Sequence, residues 1–123
     1  MDLQLTGKRA LVTGASSRIG EAIARELARE GAQVVVHGRD PDRTRRVAES
    51  IGPGAAIALG DLASDAAAVA VADAALAAFG GVDILVNNAG AYGHWDWETT
   101  TPEAWLQLFN ANVVSMVRLI RRL

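Results

Sequence analysis

The sequence predicts an α/β protein: a doubly wound parallel sheet with helices on both faces. Two observations carry this. Short apolar, β-branched runs alternate with segments of helical periodicity, which at this spacing means βαβ units joined by right-handed crossovers. A glycine-bearing turn, Thr13-Gly14-Ala15-Ser16-Ser17-Arg18-Ile19-Gly20, joins the first run to the first helix. The expected strand order is 3-2-1-4, which is where the chain stops.

The elements follow in order. Lys8 to Thr13 reads as a buried strand. In the helix after it, Ile19, Ile23, Ala24, Leu27 and Ala28 form an apolar face, with Glu21, Arg25, Glu26 and Arg29 opposite. That helix runs to about Glu30, and Gly31 closes it as a left-handed cap. Gln33 to His37 is a second strand, nearly continuous in valine, as a strand covered on both faces should be. Pro41 suits the first turn of a helix reaching Ser50, which Ile51-Gly52-Pro53-Gly54 breaks. Ala55 to Leu59 is the third strand and ends at Gly60-Asp61-Leu62.

Ser64 is placed to cap an alanine-rich helix ending at Phe79-Gly80-Gly81, with Ala67, Val71, Ala74, Ala75 and Ala78 expected as core. Asp83 to Asn87 is the fourth strand, and Ala91 to Thr100 is a loop. Thr101-Pro102-Glu103 starts a helix expected to continue to the C-terminus, with Arg118, Arg121 and Arg122 complementing its end and facing water. No repeat, low-complexity tract or linker divides the chain, so residues 1–123 are expected to form one domain.

Composition narrows the function classes. Half of the 123 residues are apolar, enough for a core, and only 5% are aromatic, which suits helices packed closely on a sheet. A net charge of −2 without a long basic run argues against nucleic acid as a partner. No apolar stretch approaches the roughly 18 residues of a membrane span. Met1-Asp2-Leu3-Gln4 lacks the charged and apolar regions of a signal peptide. With no cysteine there are no disulfides and no thiolate chemistry, and a cytoplasmic location is the expectation. His37 and His94 have no ligand-like spacing, so no metal site is expected.

The Thr13–Gly20 turn has a physical use beyond connecting elements. A helix N-terminus offers unpaired N–H groups and partial positive charge, and small residues let a pyrophosphate approach them. Alone, such a turn is a weak signal and reads more readily as an ordinary βα connection whose glycines only satisfy backbone geometry. A second segment, Asn87-Asn88-Ala89-Gly90, follows the fourth strand directly. Together the two resemble the TGxxxGxG loop and the NNAG motif of the short-chain dehydrogenase/reductase family, with Arg18 standing where the middle glycine of the loop usually is. With Asp61 and Asn112, the resemblance covers essentially the whole chain and matches the N-terminal half of the family's Rossmann-like domain.

The resemblance implies a site. Gly14, Ser16, Ser17, Arg18, Ile19 and Gly20 match the family's pyrophosphate loop. Asp61 and Leu62 match the pair along the adenine edge, and Asn88, Ala89 and Gly90 the segment beside the cofactor ribose. Asn112 matches the asparagine that positions a water in the family's proton relay. Family members specific for NAD carry a carboxylate at the end of the second strand; this sequence has Gly38 there, then Arg39. Glycine removes the repulsion of a 2′-phosphate, and a guanidinium pairs with one bidentately. NADP(H) is therefore expected over NAD(H). Arg18 is expected in helical backbone geometry, where arginine is tolerated.

The resemblance also implies chemistry that these residues do not hold. The family exchanges hydride between carbonyls and alcohols using a serine and a Tyr-x-x-x-Lys pair. The sequence contains one tyrosine, Tyr92, and one lysine, Lys8, and Asp96 stands four residues beyond Tyr92. The isolated chain is expected to be inactive, supplying the cofactor-binding part of an NADP(H)-dependent oxidoreductase. The competing reading is a non-catalytic nucleotide-binding or interaction module that docks a partner through its open sheet edge. A third would use loop residues such as His94 or Tyr92 as catalysts. Trp95 and Trp97 with His94 are either walls of a substrate pocket or packing residues, and Asp96 with Glu98 is an unsupported acid/base pair. Self-association, or a partner covering the fourth strand and the last helix, is expected.

Overall fold

The computed structural model describes all 123 residues. Its centre is a four-stranded parallel sheet in the order β3-β2-β1-β4, as the alternation of elements implies. The strands are β1 (Arg9–Val12), β2 (Gln33–Gly38), β3 (Ala55–Leu59) and β4 (Ile84–Val86). Leu11 lies between Val35 and Leu85 in register. Strands β1 and β4 are shorter than expected. Thr13 nevertheless extends the ladder, its N–H donating to the Val86 carbonyl at 3.0 Å. Below β4, the Asp83 carboxylate grips the Arg9 backbone N–H and guanidinium, each at 2.9 Å.

Side-chain alternation along the strands builds two cores. Leu11, Val35 and Ala58 face α3 (Asp65–Phe79) and Leu119; Val12, Val34 and Val36 face α1 (Arg18–Arg29) and α2 (Pro41–Ile51). The buried stripe of α3 is Ala68, Val71, Ala72 and Ala75. Ala74, expected in that stripe, is exposed. A helix made almost wholly of alanine and valine has too little polar contrast to orient itself from sequence.

The caps form as the sequence implies. Gly31 adopts φ +93°, and Ala32 N–H donates back to the Leu27 carbonyl. Asp40 accepts the N–H groups of Asp42 and Arg43, Ser64 that of Ala67, and Thr101 that of Ala104.

The last helix is not continuous. α4 (Pro102–Phe109) passes through a π-turn at Asn110–Val114 into α5 (Ser115–Arg122). Ser115 N–H reaches back five residues to the Asn110 carbonyl, and the Ser115 hydroxyl donates to the Ala111 carbonyl at 2.7 Å. Two arginines expected to face water are engaged. Arg118, with a side chain 16% exposed, pairs with Asp65 and donates to the Leu62 carbonyl (3.1 Å) and Asn110 Oδ1 (2.7 Å). Arg122 pairs with Asp73.

Candidate functional site

The carboxyl ends of β1, β2 and β3 and the segment after β4 surround a cleft of about 830 Å³. In an open parallel sheet this is where ligands bind, because the strand ends and helix N-termini diverge there. Every residue that the sequence singled out for cofactor contact lines it: Gly14, Ser16 to Gly20, Gly38, Arg39, Asp61, Leu62 and Asn88 to Gly90, with Asn112. His94, Trp95 and Trp97 do not. Trp97 instead packs on Trp105, ring centroids 5.5 Å apart.

The loop after β1 is held from two sides. Thr13 is buried, and its hydroxyl donates to the Val86 carbonyl and accepts the N–H groups of Asn88 and Ala89, both at 2.9 Å. The Asn88 amide returns two donations, to the carbonyls of Thr13 and Gly14. The first loop and the Asn88–Gly90 segment are thus one hydrogen-bonded unit. Their close approach needs glycine: a Cβ on Gly20 would stand 2.1 Å from the Gly14 carbonyl oxygen. Gly14 itself has φ +61°.

On the other side stands His37, which sequence reasoning had considered only as a metal ligand. Its ring is buried; Nδ1 accepts the Gly14 N–H at 3.0 Å, and Nε2 lies 2.8 Å from the Gly60 carbonyl. Because Gly14 donates, Nδ1 must be bare, so the ring is neutral and carries its proton on Nε2. Burial pushes its pKa below the usual histidine value, against the partial compensation of the Gly60 bond. The available signal is a histidine that ends a run of three valines, directly before the glycine at the strand end.

Arg18 departs from expectation. Its φ is +52°, left-handed rather than helical, so it occupies the backbone conformation for which the usual glycine is suited. Ile19, expected on the buried face of α1, is 71% exposed beside it. The Arg18 guanidinium reaches across the cleft to donate to Tyr92 Oη at 3.3 Å.

Charge is distributed unevenly. Arg18, Arg39 and Arg43 line the cleft, and Arg39 makes no ion pair. Asp40 is occupied as the cap of α2; the N–H of Arg43, then that of Asp42, holds its carboxyl below the usual range. The far wall is fixed by Asn112. Its Oδ1 accepts Ala91 N–H (2.9 Å), and its Nδ2 donates to the carbonyls of Ala91 (2.8 Å) and Leu108 (2.9 Å). A Cβ on Gly90 would meet that Oδ1 at 2.6 Å. In the neighbouring loop, Asp96 accepts the N–H groups of Glu98 and Thr99, and the Thr99 bond leads in holding its carboxyl low. It is a turn cap, with no acid/base geometry toward the cleft.

Residues 8–123 match the family model of the short chain dehydrogenases. An uncharacterized oxidoreductase of Bacillus subtilis is 39% identical over 98% of this chain and 46% of its own length. The structure of L-sorbose reductase from Gluconobacter frateurii, complexed with NADPH and L-sorbose, superposes with a TM-score of 0.94 at 37% identity. It covers all of this chain and 48% of the reductase. A 3-ketoacyl-(acyl-carrier-protein) reductase from Brucella melitensis, complexed with NADH, gives 0.88 at 38% identity, over 96% of this chain and 49% of its own. The chain therefore spans about half the length of the relatives it matches.

Proposed function

The chain belongs to the short-chain dehydrogenase family, and from that premise we propose that it supplies the cofactor-binding part of an NADP(H)-dependent oxidoreductase acting on a small carbonyl or alcohol in the cytoplasm. The observation that carries the reading is the cleft itself. Its polar groups suit a dinucleotide: backbone N–H donors and hydroxyls at Ser16 to Gly20, a free guanidinium at Arg39, and an accepting carboxylate at Asp61. When bound, the cofactor supplies or accepts the hydride.

The residues divide the remaining work. Gly14, Ser16, Ser17, Ile19 and Gly20 hold the pyrophosphate against the start of α1, with Arg18 above it. Asp61 and Leu62 lie along the adenine, and Asn88, Ala89 and Gly90 back the ribose. Gly38 presents no carboxylate to repel a 2′-phosphate, and Arg39 pairs with it. That pairing is the support for NADP(H) over NAD(H), since NADPH and NADH each occur among the related structures. Asn112, already fixed on Ala91 and Leu108, holds the backbone where a relay water would sit.

The proton must come from elsewhere. A general acid has to reach the substrate oxygen with a pKa near the working pH. The family's tyrosine and lysine have no counterpart, because no Tyr-x-x-x-Lys can be written in these 123 residues. These residues alone bind cofactor without turning over; residues carrying the serine, tyrosine and lysine restore catalysis.

An interaction surface accompanies this reading. β4 pairs with β1 only, leaving its other edge open. Leu106, Phe109, Val113, Val117 and Ile120 recur at helical spacing and are all exposed. A second copy or the remainder of an enzyme covers them.

Titration with NADPH and NADH, followed by nicotinamide fluorescence, tests the cofactor reading. Saturable NADPH binding is expected, and Arg39→Ala should weaken it by about tenfold or more, the value of a charge-assisted bond, with little change for NADH. Failure of the folded chain to bind either nucleotide overturns the reading.

A further inference from the structure

The end of β2 is crowded in a way that bears on which nucleotide the cleft accepts. Gly38 is buried with φ outside the left-handed region, so its backbone does not demand glycine. The surroundings do. A Cβ built on Gly38 would stand 2.2 Å from Thr44 Oγ1, 3.0 Å from Ser16 Cβ and 3.2 Å from Ser16 Oγ. Thr44 cannot easily move aside. It is fully buried on the first turn of α2, and its hydroxyl donates to the Asp40 carbonyl at 2.7 Å. Turning χ1 breaks that bond and drives either the hydroxyl or the methyl of a β-branched side chain into packed neighbours.

We propose that Thr44 is a specificity-determining residue: it occupies the space of any side chain at position 38, keeps a carboxylate out of the strand end, and so reserves that corner for a nucleotide whose ribose carries a phosphate. The proposal rests on the cofactor reading above. Its physical content is separate, since a carboxylate at position 38 would have to arrive together with a smaller residue at position 44. Arg39 and Arg43, which line the cleft beside it, then face no competing anion from the strand. Asp40, the nearest carboxylate in sequence, is turned to the helix cap.

The test is a double-mutant cycle on the full chain with Gly38→Asp, Thr44→Ala and the pair, read by melting temperature and by NADPH and NADH titration. Gly38→Asp alone should lower the melting temperature by about 5 °C or more, an overpacking loss, and weaken both nucleotides. In the Thr44→Ala background the same substitution should cost much less. The double variant should also bind NADH about tenfold more tightly than Gly38→Asp does, reversing the preference. Additive melting losses, or a single variant that binds NADH as well as the double, overturn the proposal. A wild-type chain that binds NADPH and NADH alike overturns the cofactor preference instead, and the coupling in melting temperature still reads the steric gate.

Discussion

His37 and Gly14 are joined across the floor of the cleft by a hydrogen bond of 3.0 Å, from the Gly14 N–H to the bare Nδ1 of the buried ring. Since Nε2 donates to Gly60, one imidazole at the end of β2 ties together the loops that follow β1 and β3. The tie holds only while the ring is neutral, because protonated Nδ1 would point a second donor at Gly14.

Stability should therefore depend on pH in the range where histidine titrates. Burial lowers the folded-state pKa of His37, so the unfolded chain takes up a proton first as pH falls. The contribution is complete above the unfolded value of about 6.5 and is lost as pH drops through the lower folded value. Urea unfolding between about pH 8 and pH 5 measures this slope. His37→Phe should flatten it and cost about 2 kcal/mol at neutral pH, the penalty for leaving the Gly14 N–H and Gly60 carbonyl unpaired.

Arg18 stores backbone strain. With φ +52° it adopts a conformation that costs an L-residue about 1 kcal/mol and glycine almost nothing. Arg18→Gly should be more stable than Arg18→Ala, which keeps the Cβ, by about 0.5–1 kcal/mol in denaturant unfolding. Both variants should lose NADPH affinity to a similar extent, because both lose the guanidinium. Equal stabilities would remove the strain account.

Arg118 and Arg122 carry the same charge on one helix and should differ in consequence. Arg118→Met leaves the Leu62 carbonyl and Asn110 Oδ1 without their partner in a half-buried setting, at about 2 kcal/mol. Arg122→Met breaks an exposed pair with Asp73 and should change stability by less than about 1 kcal/mol. Thermal unfolding of the two variants side by side makes the comparison. Loss of Arg118 should also weaken nucleotide binding, because Leu62 belongs to the Asp61–Ala63 wall of the cleft and Asn110 donates to its Ala63 carbonyl.

The exposed stripe on α4 and α5 should drive association. Sedimentation at increasing concentration should show a rising mass for the wild-type chain. Leu106→Glu with Phe109→Glu should return it to the monomer mass while shifting unfolding by only about 0.5 kcal/mol, as solvent-facing substitutions do. A wild-type chain that stays monomeric would assign the stripe to a different partner.

Much of this architecture was legible in the chain because it depends on neighbours in sequence. The valine run of β2, the cap at Gly31 and the Ser64 and Thr101 N-caps each act over a few residues. The glycine loop and the Asn88–Gly90 segment are local in the same sense, and apart from the buried Thr13 and Ala15 their residues line the cleft.

What escaped the sequence was set by distance in the fold. Nothing along α3 indicates that Ala68 and Ala72 face the sheet while Ala74 faces water, since alanine and valine differ too little in polarity to orient a helix. The π-turn at Asn110–Val114 coincides with side chains that reach outside their own helix: Asn110 donates to Ala63, and Asn112 clamps Ala91. Arg118 was read as solvated because its partners, Asp65 and Leu62, lie more than fifty residues away. The sequence by itself determined the sheet and its elements, because hydrophobic period and turn chemistry are local, and its two motifs marked most of the cleft through the family resemblance they carry. Only the tertiary structure decided that His37 ties the loops after β1 and β3, that Arg18 is left-handed and that Thr44 fills the place beside Gly38. Those facts arise from atoms brought within hydrogen-bonding or van der Waals range by packing, and no spacing along the chain encodes that proximity.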